Sequence, residues 1–205
     1  DDAIIINGLT TISVLFYRLL LSRGFNKKLI FINVQNKKQQ KQAISMKFTN
    51  VIINMSKKDV ELTKKDINNL KKKPVNGFTF LIDFRGYKKE IQNLLQYLHP
   101  GGCLMLFGLN DNLLNLNFHE FVNKGLNLRG IHGYSSQLVR GKYKSDLEAA
   151  KELIIKDKID VLDLVERRGK ISNAYNLLVS IVENVRINNN KLIKNDRVYF
   201  RTILV

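Results

Sequence analysis

AIIINGLTTISVLFYRLLLSRG, running from Ala3 to Gly24, decides the fold. Ala3–Asn7 is a continuous apolar run, the pattern of a short strand covered on both faces. Gly8 supplies a turn. Ile12, Leu15, Phe16, Leu19 and Leu20 then recur at the i, i+3, i+4, i+7, i+8 spacing of a helix packed on a sheet, with Gly24 as its C-cap. A buried strand that feeds a helix through one glycine presents that helix's N-terminus at a strand end, where a phosphate is readily held.

Working outward, Lys28–Val34 (KLIFINV) predicts a second strand, Lys37–Lys47 a polar helix anchored by Ala43, Ile44 and Met46, and Asn50–Asn54 (NVIIN) a third strand. Strand and helix patterns alternate, as in a parallel sheet with helices on both faces. Ser56–Lys73 is charged and poorly periodic, a solvated helix or loop ending at Pro74. Phe78–Asp83 (FTFLID) predicts strand four, and Tyr87–Leu98 a helix with Ile91, Leu94, Leu95 and Leu98 on one face. Pro100-Gly101-Gly102 reads as a turn, and Cys103–Phe107 (CLMLF) as strand five, stopped by Gly108. Then follow a short helix at Phe118–Lys124, strand six at Leu126–His132 (LNLRGIH), a helix at Lys142–Lys156, an extended connection at Ile159–Glu166, a helix at Ile171–Asn184, a polar loop at Asn188–Asn195 and a last strand at Val198–Val205. The expected fold is α/β: a doubly wound, parallel, six-stranded sheet over residues 1–158, followed by a C-terminal segment of helix and strand over 159–205.

The chain has 205 residues, of which 44% are apolar, enough for a substantial core. No run reaches the roughly 20 apolar residues that cross a bilayer. Asp1-Asp2-Ala3 lacks the basic start of a signal peptide, and its abrupt entry into a strand suggests a piece of something longer. Cys103 is the single cysteine, so no intrachain disulfide and no cysteine cluster is expected; a cytoplasmic setting fits. The formal charge of +16, from 34 basic and 18 acidic residues, has two readings. It could draw nucleic acid, or it could follow from a Lys-, Asn- and Ile-rich composition of the kind AT-rich genomes encode. The second is favoured, because the lysines are scattered and no aromatics interleave with them as stacking platforms.

A dinucleotide-binding turn carries G-x-G-x-x-G, with an acid about 20 residues on for the adenosine ribose. Here the stretch reads Gly8-Leu9-Thr10-Thr11-Ile12-Ser13, with only the first glycine kept. Gly8 either turns the chain beneath a pyrophosphate or serves a turn that needs positive φ for its own sake. Thr10 crowds the phosphate position unless its hydroxyl donates; Ser13 is a milder change. The ribose acid should close strand two, where Asn33, Val34 and Gln35 stand, and no Asp or Glu occurs between Asp2 and Asp59. Lys37 and Lys38 either neutralise a 2′-phosphate or are solvated lysines. Asp83, Phe84, Arg85 and Gly86 end strand four, Gly108 and Leu109 follow strand five, and His132 and Gly133 close strand six, all at the edge where ligands bind in such sheets. Arg85 would pair with a phosphate or lie exposed. His132 as a proton relay competes with a structural hydrogen-bonding role, and Cys103 reads as core.

Several pieces fall in one order: AIIINGLTTIS at 3–13, FLIDFRG at 80–86, LLQYLHPGGCLMLFGL at 94–109, GLNLRGIHG at 125–133, AAKELIIKDKIDVLDLVERRGKISNAYNLL at 149–178 and VYFRTILV at 198–205. In that order they resemble the cofactor domain of the medium-chain dehydrogenase/reductase superfamily, which includes zinc alcohol, polyol and threonine dehydrogenases and quinone reductases. The resemblance covers nearly the whole chain. It implies a Rossmann-type domain and an NAD(P)-dependent oxidoreductase that moves hydride to or from an alcohol, a carbonyl or an activated double bond. It also implies that the segment 159–205 returns toward a GroES-like catalytic domain, which is not among these residues and which carries the zinc ligands and proton relay. By the same resemblance Gly8, Leu9, Thr10, Thr11, Ile12, Asn33, Lys37, Phe84, Arg85, Gly86, Gly108, Leu109, His132 and Gly133 face the cofactor. The missing ribose acid favours NADP over NAD. No zinc site is expected here, since Cys103, His99, His119 and His132 are not at ligand spacing. Strand 126–132 is the sheet edge that pairs two subunits in dimeric members, so a homodimer acting on a small-molecule substrate is implied. The alternative is a catalytically dead relative kept as a scaffold or assembly subunit, with its basic surface toward RNA or acidic partners. A Rossmann methyltransferase fits less well, because the layout from Pro-Gly-Gly to strand six matches the reductases.

Overall fold

A computed structural model describes residues 2–53, 77–108, 116–131, 136–139, 141–156, 159–164, 168–169, 175 and 203–204. The chain divides into two units, Asp1–Ile159 and Asp160–Val205.

The first unit is built on β1 (Ile4–Asn7), α1 (Thr11–Ser22), β2 (Ile30–Val34), α2 (Lys37–Ser45), β3 (Asn50–Ile53), β4 (Phe78–Asp83), α3 (Lys88–Leu95), β5 (Leu98–Leu106), α4 (His119–Lys124) and β6 (Asn127–Gly130). Its sheet has six strands, all parallel, in the order β3-β2-β1-β4-β5-β6. The chain moves one way from β1 to β3 and the other way from β4 to β6. Right-handed crossovers therefore put α1 and α2 on one face and α3 on the other, and the order reverses between β1 and β4. A hairpin of β7 (Ser136–Val139) and β8 (Lys142–Ser145) leads into α5 (Asp146–Lys156).

Every residue of β1 and β2 is buried, as their largely apolar runs require, the asparagines Asn7 and Asn33 included. On the α3 face Ile5, Phe31, Leu81 and Leu104 pack with Ile91, Leu94 and Leu95. Each such side chain withdrawn from water contributes about 1.5–3 kcal/mol. Ile4, Ile6, Ile30, Ile32 and Ile82 alternate with that set and are buried on the opposite face.

Helix α1 departs from its expected face. Ser13, Val14, Tyr17 and Leu20 are buried, whereas Ile12 is 52% exposed and Leu15, Phe16 and Leu19 are half-buried. Eight of the twelve positions of TISVLFYRLLLS are apolar and cover most of the helix circumference, so periodicity alone leaves the buried face open. Tyr17 decides it: its ring stacks on Phe48 at 4.1 Å and its hydroxyl donates to the Lys47 carbonyl at 3.0 Å. Gly24, at φ +82°, lies one residue beyond the C-cap Arg23. The bonds Phe25 N to Leu20 O and Gly24 N to Leu21 O close the helix as a Schellman motif.

Other boundaries move for local reasons. Residues 27–29 form a 3-10 turn capped by Asn26, so β2 begins at Ile30. The expected helix 87–98 ends at Leu95, because Leu98 pairs with Phe78 at the head of β5. Pro100-Gly101-Gly102 is an irregularity within β5, between the Phe78–Leu98 and Phe80–Cys103 pairings. A Cβ on Gly102 would press on the His99 carbonyl at 2.9 Å. Cys103 is half-buried rather than core, and burial pushes its thiol pKa up. The first four residues of the expected helix 142–156 are β8. Ser145 and Glu148 form a reciprocal cap there, with Ser145 N donating to Glu148 Oε2 at 2.9 Å and Glu148 N to Ser145 Oγ at 3.3 Å.

In the second unit Leu162–Leu164 is a 3-10 turn inside the expected extended connection, and Arg168–Gly169 pairs in parallel with Ile203–Leu204. The expected segment 56–73, the loop 188–195 and all of helix 171–184 except Tyr175 lie outside the described residues.

Candidate functional site

At the reversal point Gly8 leaves β1 at φ +97°, its N–H held by the Asn33 carbonyl at 3.0 Å. L-residues seldom adopt that φ, which accounts for the glycine. Thr10 and Ser13, where the glycine pattern is broken, form a capping box on α1. Ser13 N donates to Thr10 Oγ1 at 3.1 Å, and Thr10 N to Ser13 Oγ at 2.7 Å. Two N–H groups at the head of the helix, which would face an anion, are thus bonded within the chain.

Beneath the turn lies a polar ladder. Asn7 is in register with Asn33 of β2 and with Asp83 of β4. Asn33 Nδ2 donates to Asn7 Oδ1 at 2.7 Å, and Asn7 Nδ2 donates to Asp83 Oδ1 at 2.6 Å. All three residues are buried, on the side that α3 covers. Asp83 Oδ2 accepts from Gly86 N at 2.6 Å and Arg85 N at 3.3 Å, which folds the β4–α3 connection back on itself. Burial raises the Asp83 pKa; the Asn7 amide and the two backbone N–H groups pull it down, and nearby Glu90 pushes it up further. Asn33 Oδ1 has no partner among the described residues.

Glu90, in the first turn of α3, gathers three donors: Asn7 Nδ2 at 3.3 Å, Gln35 Nε2 at 2.9 Å and Arg85 Nη1 at 3.3 Å. The Arg85 side chain is 15% exposed, neither free in solvent nor open to every approach. A Cβ built on Gly8 would overlap Arg85 Cγ and Cδ, so the arginine stem runs across the glycine turn. Its guanidinium carbon lies 4.4 Å from the Tyr87 ring centroid. Gly86 and Gly108 pack backbone to backbone, and a Cβ on Gly108 would overlap the main chain of Arg85 and Gly86. Phe84 meets Phe16 of α1 at 5.9 Å and Phe107 at 4.8 Å, an apolar cluster at the ends of β4 and β5.

The structure therefore brings Gly8, Thr10, Phe84, Arg85, Gly86 and Gly108 together. Leu9 is buried, Thr11 half-buried and Ile12 exposed at the head of α1. Asn33 is buried and spent on Asn7. Lys37 and Lys38 are exposed on the first turn of α2, next to Gln35. Leu109, His132 and Gly133 lie outside the described residues. Gln35 was considered only as a place for a ribose acid, and Asn7, Glu90, Phe16 and Phe107 were not singled out as site residues by the sequence. Glu90 reaches Gln35 across 55 residues, and no local pattern marks that meeting. Among the described residues no group of His, Cys, Asp and Glu could hold a metal, and no helix is long and apolar enough to cross a membrane. Strand β6 is one of the two outer strands of the sheet order, with β3 at the other edge, and is exposed along its length.

The residues fit a phosphate-bearing nucleotide in part. The positive-φ glycine, the close-packed Gly86–Gly108 contact and the aromatic cluster suit one; the self-capped helix and the seated arginine reduce the backbone donors and space offered to it.

Residues 19–153 match the family model described as zinc-binding dehydrogenase. No curated protein matches the chain. Among solved structures the chain is similar to the D-arabinose dehydrogenase from Sulfolobus solfataricus, at 21% identity and a TM-score of 0.57, covering 83% of this chain and 46% of that one. It is similar to a short chain alcohol dehydrogenase from Escherichia coli CFT073 complexed with NADH, at 12% and 0.66, covering 89% and 49%. A zinc-binding dehydrogenase from Sinorhizobium meliloti 1021 bound to NADP matches at 14% and 0.60, covering 86% and 48%. At these identities the likeness is one of fold. The chain spans just under half the length of each.

Proposed function

The chain belongs to the zinc-binding dehydrogenase family, and we propose that it is the nicotinamide-nucleotide-binding part of an oxidoreductase acting on an alcohol, a carbonyl or an activated double bond. One observation carries this reading. The positive-φ Gly8 stands between a buried strand and a helix, where the order β3-β2-β1-β4-β5-β6 reverses. The neighbours complexed with NADH and NADP lend it support.

When bound, the nucleotide supplies the hydride chemistry; this chain's residues bind and orient it. Gly8 and the head of α1 would take the pyrophosphate. Phe84 and Phe107 would exclude water beside the nucleotide, with the Gly86–Gly108 contact fixing the two loops they belong to. Lys37 and Lys38, exposed beyond β2, favour NADP, because Glu90, the carboxylate that meets Gln35 there, is occupied by Asn7, Gln35 and Arg85. Catalytic groups and any zinc would come from outside these residues, in a cytoplasmic enzyme paired through β6. Fluorescence titration of the full-length protein with NADPH and NADH tests the preference: a lower Kd for NADPH that is lost in Lys37→Ala/Lys38→Ala supports it, and equal or reversed affinities refute it.

A second reading has its own observation. Arg85 across Gly8 and the self-capped α1 suit a relative that kept the fold and lost the nucleotide. Failure of both nucleotides to bind would select it.

A further inference from the structure

We propose that Arg85 is the phosphate anchor of this site and that Glu90 holds it in reserve until a phosphate arrives. The inference rests on the nucleotide-binding reading above and adds a residue and a mode of control to it.

Arg85 is tethered where an anion would sit: its stem crosses the Gly8 turn. The usual donors of such a turn are short here, since Thr10 and Ser13 use two of them on each other. A guanidinium replaces them well, because its planar fork offers five N–H donors and meets phosphate oxygens in pairs. In the structure Nη1 is spent on Glu90 Oε1 at 3.3 Å, and the guanidinium carbon lies over Tyr87 at 4.4 Å. Glu90 does not depend on that bond alone, because Asn7 and Gln35 also donate to it. The arginine can therefore turn from carboxylate to phosphate without leaving a bare buried charge, the usual cost of breaking such a pair. Both side chains are largely buried, at 15% and 13% exposure, so the exchange is only weakly screened. Glu90 and the ligand thus compete for one cation, and Glu90 sets how tightly a phosphate is held.

The test is calorimetric titration of the full-length protein with NADPH, inorganic pyrophosphate and adenosine, the last carrying no phosphate. Glu90→Gln removes the competitor and should tighten NADPH and pyrophosphate about tenfold. Arg85→Met keeps the stem over Gly8, removes the guanidinium and should weaken both by about the same factor. The double variant should bind like Arg85→Met, since the effect of Glu90 runs through Arg85. Adenosine should not respond to either change. Arg85→Lys keeps the charge without the fork and should fall between wild type and Arg85→Met, which secures the result if Arg85→Met does not fold. If wild type binds NADPH and both single variants match it, the anchor is refuted while the nucleotide reading stands. If Arg85→Met binds more tightly than wild type, Arg85 is a plug and the proposal is overturned. If no protein binds any of the three ligands, the nucleotide reading fails and the anchor with it.

Discussion

Asn7 and Asp83 are direct partners across two parallel strands, joined by an amide-to-carboxylate hydrogen bond of 2.6 Å at a fully buried position. The bond ties the end of β1 to the loop that carries Arg85 and Gly86. Replacing Asn7 with Leu strands the Asp83 oxygen and the Asn33 amide together. Each unsatisfied buried group costs about 1–3 kcal/mol, so Asn7→Leu is expected to lower stability by about 3 kcal/mol in urea unfolding. A loss below about 1 kcal/mol would mean that the ladder does not hold the loop.

Asp83 also gives the protein a pH signature. Its carboxyl pKa is raised, chiefly by burial, so the folded state favours the protonated form. The stability this contributes is complete below the unfolded-state pKa and is lost as pH rises through the higher folded value. Asp83→Asn removes that titration. The stability difference between wild type and variant, followed by unfolding from about pH 3 to about pH 8, should move against wild type as pH rises and then level off. A difference independent of pH contradicts the assignment.

Restoring the glycines at Thr10 and Ser13 separates capping from ligand binding. Thr10→Gly with Ser13→Gly dissolves the capping box. It should cost about 1 kcal/mol of stability while freeing N–H groups for an anion. Tighter NADPH binding with a lower Tm is expected. Unchanged affinity would show that the helix head is not part of the site.

Lys47 closes α2 at φ +68°, the same post as Gly24 on α1, with Phe48 N bonded to Ala43 O at 3.1 Å. A left-handed conformation costs an ordinary L-residue about 1 kcal/mol or more, and part of that is recovered by glycine. Lys47→Gly should raise Tm by about 2 °C, read by thermal melt. A drop in Tm would place the value of Lys47 in its side chain.

Gly108→Ala tests the loop contact directly. The added methyl meets main chain of Arg85 and Gly86, which cannot swing aside as a side chain would. A loss of about 1–3 kcal/mol is expected, with displacement of Arg85 from the Gly8 turn. Full stability with unchanged ligand affinity would refute the close packing.

The strands were legible because a doubly covered sheet writes itself as runs dominated by apolar residues, such as IIIN and IFINV, each carrying a single asparagine. The glycines at 8, 86 and 108 were legible because turns and backbone contacts leave no substitute. The face of α1 was not, since apolar residues cover most of that helix and its rotation follows Tyr17, stacked on Phe48 and bonded to the Lys47 carbonyl. Ser145-Asp146-Leu147-Glu148 spells a helix start that the charged run before it obscured, and Lys142–Ser145 has no periodicity to mark a strand. Of the residues gathered at the candidate site, the glycines and Arg85 could be picked out in the sequence and Glu90 could not. Its meaning depends on meeting Asn7, Gln35 and Arg85 across three separate segments, a relation that exists only once the sheet has formed.

Whether the Gly8 turn serves a nicotinamide dinucleotide is decided by calorimetric titration of the full-length protein with NADPH. A serving turn gives saturable, single-site binding with a Kd below about 1 mM. No binding of NADPH or NADH at that concentration would contradict that role.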